Sequence, residues 1–426
     1  MADELVAVVM AGGLGTRMRS ATPKHLYPIL GRRMVDWVIA AARDAGVDRV
    51  VVVASPDTSA LYDGVEVAVQ AEPLGTGDAV KSARPALDGA ATVLVLNGDV
   101  PALRRETLDV LVATHRAANA AGTVLSFEPV DARAYGRIVR DGDGRLARIV
   151  EAADATPEEL ALREVNSGIY AFRGECLWPA LDQLEPHNAQ GELYITDALG
   201  VLVAGGEPCA VQIAADPFEV EGINTRVELA EVAAVLRDRI NTAHMRAGVT
   251  IVDPASTWIH ADVEIEPDTT IQPFTVLKGP TRIATGVEIG PFAYVRPNTV
   301  VGTGAKIGSF VEVKATTLGA GSKIPHLSYI GDAEIGEGTN VAAGNVTANL
   351  KHEPGQDKAR TRIGRNVRTG VNNVFDAPVE VGDDAWIAPG SVITDDVPPG
   401  SLAGFASRQE TKKGWVYDKH GKPDRD

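Results

Sequence analysis

The stretch IATGVEIGPFAYVRPNTVVGTGAKIGSFVEV, residues 283–313, places a β-branched aliphatic residue at every sixth position. These residues are Ile283, Ile289, Val295, Val301, Ile307 and Val313. An α-helix cannot bury a period of six on one face, and antiparallel strands would need an alternation with a period of two. A triangular β-solenoid buries this period, because each side of the prism takes one hexapeptide and directs one apolar side chain inward. The stretch therefore predicts a left-handed parallel β-helix of hexapeptide repeats.

The same register continues towards the C-terminus after phase shifts. It resumes at Leu318, Ile324 and Ile330, and again at Val381, Ile387 and Ile393. Between residues 347 and 361 the period fails and a polar segment, residues 349–358, intervenes. We expect this segment to leave the coil as a loop, since interruptions of a solenoid often line its binding face. The predicted β-helix domain, with a C-terminal tail, covers residues 249–426.

The N-terminal half has the pattern of an α/β domain. Apolar runs at Leu5–Met10, Arg49–Ala54, Thr92–Leu96 and Thr123–Phe127 predict buried strands, and Met34–Ala45 and Glu106–Ala118 predict intervening helices. Strands that alternate with helices predict a Rossmann-like, mainly parallel sheet, here assigned to residues 1–225. Apolar residues at helical spacing then predict a linker helix over residues 226–248.

Composition narrows the classes of function. The chain has 41 Lys and Arg against 57 Asp and Glu, a net charge of −16, so nucleic acid is not an expected partner. Two cysteines cannot form a disulfide framework, and no apolar stretch reaches membrane-spanning length. We therefore expect a cytoplasmic protein with no membrane contact. Any phosphate site must be built from local basic groups.

Residues 11–24, AGGLGTRMRSATPK, directly follow the first predicted strand and have the composition of a phosphate-binding loop. Gly12 and Gly13 let backbone amides approach a phosphate closely, and Arg17 and Lys24 can neutralise its charge. A glycine turn alone often has a purely steric cause, but the following Gly-Thr-Arg and Pro-Lys favour a functional loop. The pattern is not a Walker motif, which needs Gly-Lys-Ser/Thr.

Asn97-Gly98-Asp99 follows the strand Thr92–Leu96. Ligands of open α/β sheets bind beyond the carboxyl ends of the strands, so Asp99 is expected beside the glycine loop. A single Asp after a strand is more often a turn or helix cap. Next to a phosphate loop, however, a hard carboxylate suits Mg²⁺ that bridges phosphate oxygens.

Further motifs carry a family resemblance. The glycine loop, Gln70–Gly77, Asn97-Gly98-Asp99, Tyr135-Gly136-Arg137, Glu151, Asn166-Ser167-Gly168 and Glu221–Asn224 occur in the order expected of sugar-nucleotide pyrophosphorylases. With the β-helix behind them, they resemble the family of bifunctional bacterial N-acetylglucosamine-1-phosphate uridyltransferases/glucosamine-1-phosphate acetyltransferases. The resemblance covers nearly the whole chain.

The resemblance implies a uridyltransferase site in the first domain. Uridine and its phosphates would be held by Ala11, Gly12, Gly13, Gln70, Gly75 and Thr76, and the amino sugar by Gly136, Glu151 and Asn166, with Tyr194 and Thr196 in the same pocket. Lys24, Asn97 and Gly98 would belong to the same nucleotide- and sugar-binding site. Asp99 and Asn224 would coordinate Mg²⁺. The reaction needs positioning and charge neutralisation more than a protein nucleophile, and Arg17 and Lys24 would contribute the cationic charge.

It also implies an acetyltransferase site in the solenoid. His326 would be the base that deprotonates the 2-amino group of glucosamine-1-phosphate, a role that suits an imidazole. The sugar phosphate would be held by Arg296, Lys314, Tyr329, Asn340 and Asn349, and acetyl-CoA by Ala343, Lys358 and Arg408. The family's tyrosine, serine and alanine at three cofactor positions are replaced here by Leu350, Val371 and Pro389.

Three functional hypotheses remain open at this stage. The retained His326 favours a bifunctional enzyme, whereas Leu350, Val371 and Pro389 favour a monofunctional nucleotidyltransferase, using UTP or dTTP, with an oligomerising β-helix. A regulatory binding protein would not need both the metal ligands and the cationic loop. Solenoids of this type usually form homotrimers, which is the oligomeric state we expect.

Overall fold

The computed structural model describes residues 4–13, 16–87, 89–132, 135–186, 188, 190–350, 357–404 and 411–420. The chain divides into two compact units, one ending at Leu236 and the other beginning at Arg237. The first is an α/β unit and the second a β-helix, so the predicted fold class is confirmed.

The strands of the first unit confirm the predicted buried runs. They are β1 Leu5–Ala11, β2 Pro28–Ile29, β3 Arg32–Arg33, β4 Arg49–Ala54, β5 Glu66–Val69, β6 Thr92–Asn97, β7 Gly122–Phe127, β8 Arg137–Arg140, β9 Leu146–Val150, β10 Val165–Arg173 and β11 Cys209–Ile213. Nine of them form one sheet, whose central path is β11-β7-β10-β6-β1-β4-β5. β1 is parallel to both β4 and β6, whereas β10 is antiparallel to β6 and β7. The sheet is therefore mainly parallel.

Helices cover both faces of this sheet. They are α1 Met34–Asp44, α2 Thr76–Ser82, α3 Arg84–Leu87, α4 Arg105–Ala117, α5 Pro157–Leu160, α6 Gly174–Asp182 and α7 Ile195–Ala204. Alternate side chains of β1 enter opposite cores: Ala7 and Val9 pack with residues of α1 and α4, and Val6 and Val8 with residues of α2, α6 and α7. This two-sided burial explains why the strand is a continuous apolar run.

The helix α8, Arg226–Arg246, follows the sheet. Val232 and Leu236 pack in a cluster of the first unit, and Ile240 packs against the core of the second. The boundary between the two units therefore falls inside this helix. None of the helices in the described part of the chain is long and apolar enough to cross a bilayer.

In the described residues, the second unit contains the end of α8, then a series of short strands and one further helix. The strands are β12 Thr250–Ile251, β13 Trp258–Ile259, β14 Val263–Ile265, β15 Thr270–Ile271, β16 Val276–Leu277, β17 Thr281–Ile283, β18 Glu288–Ile289, β19 Tyr294–Val295, β20 Thr299–Val301, β21 Lys306–Ser309, β22 Glu312–Lys314, β23 Thr317–Leu318, β24 Lys323–His326, β25 Tyr329–Gly331, β26 Ala333–Ile335, β27 Val346–Ala348, β28 Thr361–Ile363, β29 Arg368–Thr369, β30 Val374–Asp376, β31 Val379–Val381, β32 Trp386–Ile387, β33 Val392–Ile393 and β34 Leu402–Ala403. The helix is α9, Trp415–His420.

Up to β26 each strand pairs in parallel with the third strand after it, and parallel pairing continues beyond β26 on the same three faces. Face one contains β12-β15-β18-β21-β24 and later β29-β32-β34, face two contains β13-β16-β19-β22-β25-β27-β30-β33, and face three contains β14-β17-β20-β23-β26-β28-β31. On face one Ile271, Ile289 and Ile307 lie directly above one another and are buried. The period of six thus places one aliphatic side chain per face in a continuous interior stack.

Candidate active sites

The glycine loop and Asp99 lie together because two neighbouring strands end at one sheet edge. β1 and β6 run parallel, with Met10 paired to Asn97. The Gly98 amide donates to Met10 O over 2.9 Å, and a Cβ on Gly98 would lie 2.8 Å from that oxygen. Only glycine fits this approach, so Gly98 brings Asp99 beside the loop that follows β1.

Lys24 joins three parts of the chain at this edge. Its Nζ contacts Asp99 Oδ2 and donates to Asn224 Oδ1 over 2.9 Å. Arg17 Nη2 donates to the same amide oxygen over 2.7 Å. The two predicted metal ligands and both predicted cationic residues therefore meet at one point. Of the loop itself, residues 14 and 15 lie outside the described residues.

The beginning of α8 holds Asn224 in this position. Glu228 Oε2 accepts hydrogen bonds from the amides of Asn224 and Thr225, over 2.6 and 2.9 Å, and the Glu228 amide donates to Thr225 Oγ1. This reciprocal arrangement is a capping box. The Ile223 amide also donates to Asp99 O over 3.0 Å, which ties this turn to the loop after β6.

One side of this meeting point opens into a cavity of about 440 Å³, the glycine-loop cavity. The predicted residues that line it are Ala11, Gly12, Gly13, Lys24, Gln70, Gly75, Thr76, Asn97 and Asp99. Gln70 Nε2 donates to Gly75 O and to Asp78 Oδ2, which connects the strand end to the start of α2.

The other side opens into a second cavity of about 350 Å³, the Glu151 cavity. The predicted residues that line it are Arg17, Lys24, Asn97, Asp99, Gly136, Glu151, Asn166 and Asn224. Asn97 Nδ2 donates to Ser167 O, and Gly168, with φ of 77°, leaves room for that amide group. Lys24, Asn97 and Asp99 line both cavities, so a ligand in each would meet there.

Glu151 has an unusual environment for a carboxylate. Burial raises its pKa, and a hydrogen bond from Thr196 Oγ1 over 3.2 Å opposes that rise. Gly136 packs against this carboxylate. Burial also raises the pKa of Tyr194 to about 12. Within the described residues, neither Tyr194 nor Thr196 lines the two cavities, and Thr196 reaches the site only through Glu151.

In the second unit, a cluster of polar side chains forms on face two. Asn349 Nδ2 donates to Tyr329 Oη over 3.3 Å and to Asp332 Oδ2, and Lys314 Nζ lies 3.4 Å from the same carboxylate. Arg296, on the preceding coil, pairs with Glu312 at 2.9 Å. These contacts bring four of the five predicted sugar-phosphate residues to one surface.

Lys358 belongs to this polar cluster, although the resemblance assigned it to acetyl-CoA. Its amino group shares a hydrogen bond with Lys314, which raises the pKa of Lys314 and lowers that of Lys358. Two adjacent amino groups resist carrying charge simultaneously, so a bound anion would relieve their repulsion. The structure therefore places Lys358 beside Lys314; that it faces the sugar phosphate is a proposal, and its contact with acetyl-CoA stays a prediction.

His326 lies at the end of β24 on face one, with an exposed side chain. Asn340 lies on the same face, paired with Lys323. In the described part of the unit, neither side chain makes a hydrogen bond to the cluster on face two. The corner formed by Leu327 and Ser328 separates them from Tyr329.

A column of corner residues runs along the prism from His326. The amides that follow His326, Ala343, Val371 and Pro389 each donate to the carbonyl of the preceding corner residue, namely Ser309, His326, Ala343 and Val371. The predicted cofactor residue and two of the three departures from the family are thus stacked on successive coils. Leu350 is exposed, and Arg408 lies outside the described residues.

Comparisons with known proteins agree with both units. A MobA-like NTP transferase domain matches residues 7–195, and bacterial transferase hexapeptide repeats match residues 280–315. Bifunctional protein GlmU of Streptomyces avermitilis is 45% identical, over 97% of this chain and 94% of that protein. Bifunctional protein GlmU of Trichlorobacter lovleyi is 42% identical, over 97% of this chain and 98% of that protein. Bifunctional protein GlmU of Mycobacterium tuberculosis is also 42% identical, over 98% of this chain and 93% of that protein.

The chain belongs to the bifunctional GlmU family.

Membership of the GlmU family confirms the resemblance inferred from the motifs. It confirms the prediction of a bifunctional transferase enzyme and does not favour the monofunctional alternative.

Several residues of the first site were not predicted from the sequence. His25 and Glu192 line the glycine-loop cavity, and Glu228 lines the Glu151 cavity. Ser167, which was quoted above only as part of a motif, lines the Glu151 cavity as well. His25 is buried, its Nε2 has no hydrogen-bond partner among the described residues, and burial lowers its pKa to about 4. Its position directly after Lys24 was the available signal. A lone histidine on an apolar background does not by itself indicate a cavity wall.

Proposed function

We propose that this member of the GlmU family makes UDP-N-acetylglucosamine in two steps. Its β-helix acetylates glucosamine-1-phosphate with acetyl-CoA, and its α/β unit then transfers uridylate from UTP to the N-acetylglucosamine-1-phosphate formed. The observation that carries the proposal is the convergence of Arg17, Lys24, Asp99 and Asn224 between two adjoining cavities. A phosphate-rich nucleotide and a sugar phosphate would meet at that point.

In uridyl transfer, a phosphate oxygen of N-acetylglucosamine-1-phosphate attacks the α-phosphorus of UTP. The bond from that phosphorus to the oxygen bridging the α- and β-phosphates breaks, and pyrophosphate leaves. UTP occupies the glycine-loop cavity and the sugar phosphate the Glu151 cavity, so the reacting atoms meet beside Lys24. Arg17 and Lys24 neutralise charge that develops on the phosphate oxygens, and the cavities orient both substrates.

The oxygen ligands beside Lys24 are of the kind that binds Mg²⁺. Asp99 contributes a carboxylate oxygen and Asn224 an amide oxygen, and both contact one ammonium group, which marks the position between them as suitable for a cation. Asp99 and Asn224 would hold the metal. When bound, Mg²⁺ supplies positive charge to the phosphate oxygens of UTP.

In acetyl transfer, the 2-amino group of glucosamine-1-phosphate attacks the thioester carbonyl of acetyl-CoA and coenzyme A leaves as its thiolate. His326 accepts the proton that the amine loses. Arg296, Lys314 and Lys358 hold the phosphate, and Tyr329, Asn340 and Asn349 orient the sugar. Acetyl-CoA lies along the corner column from His326 through Ala343, with Arg408 as a further contact.

A substrate panel tests this function. Pyrophosphate release is measured with UTP or dTTP and several sugar phosphates, and acetylation of glucosamine-1-phosphate is measured in parallel with acetyl-CoA. We expect the highest kcat/KM with UTP and N-acetylglucosamine-1-phosphate, and acetylation of glucosamine-1-phosphate. No acetylation by correctly folded protein would leave only the nucleotidyltransferase half of the proposal.

We also propose that the enzyme is a cytoplasmic homotrimer. A ladder of stacked, exposed rings on the β-helix supports self-association: the centroids of Phe274, Phe292 and Phe310 are 4.8 and 5.0 Å apart, and the residues are 54%, 46% and 59% exposed. Light scattering coupled to gel filtration should give three times the chain mass, and a monomer mass would contradict this proposal.

A further inference from the structure

The α/β unit contains a large cavity at the sheet edge opposite to the proposed active site. This cavity, the amino-edge cavity, has a volume of about 690 Å³, within the usual range for small-molecule sites. It lies where β6 begins, where α4 ends and where β10 passes into α6. Thr92 at the start of β6 pairs with Arg173 at the end of β10.

The lining of this cavity is cationic in a strongly acidic chain. Arg116 and Arg173 contribute two guanidinium groups, and Glu175 is the only acidic side chain in the described lining. Arg116 is exposed and forms no ion pair with any described residue. Arg173 lies 3.5 Å from Glu175, whose side chain is 75% exposed, so that pair is only weakly stabilising.

Other polar groups complete the wall. His115 is buried, and its Nδ1 lies 2.9 Å from Thr123 Oγ1. Burial, with the charges of Arg173 and Arg116, lowers the pKa of His115 to about 4. The two guanidinium groups thus leave this wall with a net positive charge, because Glu175 is the one acidic side chain beside them in the described lining. The backbone carbonyl oxygen of Asn119 accepts a hydrogen bond from Arg173 Nη2 over 2.6 Å, which holds that guanidinium beside the end of α4.

The position of the cavity connects it to the reacting centre. β6 begins at the cavity with Thr92 and ends at Asn97, which lines both proposed substrate cavities. Five residue steps along a strand correspond to about 17 Å, so the two sites are separate but share β6 and β10.

We propose that the amino-edge cavity binds a small phosphate-bearing anion that acts as an effector of the α/β unit. Arg116 suits a phosphate because its guanidinium can donate two parallel hydrogen bonds to the phosphate oxygens, and Arg173, which is held by Asn119 and Glu175, adds a second positive charge to the same cavity. The binding part of this inference does not depend on the proposed function, whereas the effector part rests on uridyl transfer.

Calorimetric titration with inorganic phosphate tests the binding site. The full chain is used without Mg²⁺ and with UDP-N-acetylglucosamine at saturation, so that the two substrate cavities of the α/β unit are filled. Phosphate that binds the polar cluster of the β-helix contributes equally to the wild type and the variants. We expect phosphate to bind the wild type and to bind Arg116→Gln roughly tenfold more weakly, because a charge-assisted hydrogen bond is lost. Arg105→Gln, on the same helix and paired with Asp109, is the matched control and should bind like the wild type. Absence of binding, or equal affinity of Arg116→Gln and the wild type, would overturn the site.

Rates of uridyl transfer test the effector role. Pyrophosphate release is measured at constant ionic strength with phosphate or chloride, in the wild type and in Arg116→Gln. Competition by phosphate within the substrate cavities affects both proteins equally. We expect an additional change of rate in the wild type alone. Identical phosphate responses, with binding still observed, would overturn the effector role and leave the binding site.

Discussion

At the scale of single residues, the proposed uridyl-transfer site is organised around one ammonium group. Lys24 Nζ contacts Asp99 and Asn224, which lie on separate segments, and Arg17 reinforces the contact to Asn224. Two acceptor oxygens around one ammonium group form a position that suits a cation. Glu228 holds Asn224 in this position by accepting a hydrogen bond from its amide.

Asp99→Ala should abolish most pyrophosphate release. The substitution removes the carboxylate proposed to bind Mg²⁺, so we expect a loss of roughly 10²-fold or more in kcat. Circular dichroism should show an unchanged fold, because Asp99 lies at a cavity wall and not in an apolar core. Asp109→Ala, on the surface of α4, is the control. Turnover of the wild type in EDTA would contradict the metal assignment.

A second prediction at this scale concerns His115 and pH. Its folded pKa of about 4 lies below its ordinary value of 6.5, so the unfolded chain binds a proton that the folded chain excludes between these limits. The contribution of His115 to stability is therefore complete above about pH 6.5 and is lost as pH falls to about 4, by up to about 1.4 kcal/mol per pH unit.

His115→Gln should flatten this dependence. Glutamine can retain the contact with Thr123 but does not titrate, so the variant should lose about 3 kcal/mol less free energy of unfolding than the wild type between pH 7 and pH 4. Urea titrations of both proteins at several pH values measure the difference. Parallel curves would show that another group is responsible.

At the scale of elements, the glycine-loop cavity depends on how α2 begins. Gly75 has a φ of 116°, and a Cβ there would lie 2.4 Å from Leu193 O. The Gly77 amide donates to the same carbonyl over 2.8 Å, which fixes the start of the helix against the residues before α7. The backbone can come this close only at a glycine.

Gly75→Ala should therefore separate α2 from the residues before α7. We expect a loss of about 2 kcal/mol in the free energy of unfolding and a raised KM for UTP, because Thr76 moves with the helix. Gly142→Ala is the matched control, since its Cβ would meet open space and its φ is not positive. A KM for UTP equal to that of the wild type would argue against a role of this turn in nucleotide binding.

At the scale of the whole molecule, the two units carry separate sets of proposed site residues. All proposed uridyl-transfer residues precede Leu236, and all proposed acetyl-transfer residues follow Arg237. Each unit also has its own apolar core. The two activities should therefore respond independently to substitution.

His326→Ala should remove acetyl transfer and spare uridyl transfer. Loss of a general base lowers the rate by roughly 10²–10⁴-fold, and the α/β unit retains its own core and site. Both activities are measured on the same preparation, with His260→Ala in the same β-helix as the control. Equal damage to both activities would argue against two independent sites.

The sequence determined the architecture because regular patterns need only local chemistry. A period of six apolar residues is buried efficiently only in a three-sided coil. An unbroken apolar run such as Leu5–Ala11 is buried efficiently only in the middle of a sheet that is covered on both faces. Position at a strand end also predicted that Asp99 lies beside the glycine loop, since parallel strands end at one edge.

Only the tertiary structure decided which distant side chains meet. Lys24 and Asn224 are 200 positions apart, and their contact depends on how the turn before α8 packs against the loop after β6. The packing of elements also places His25 in the wall of the glycine-loop cavity and Lys358 beside Lys314. It stacks the corner residues in the column that starts at His326. No local pattern encodes such meetings, because side-chain neighbours across the chain are set by the packing of whole elements, whereas periodicity records only which face of an element is buried.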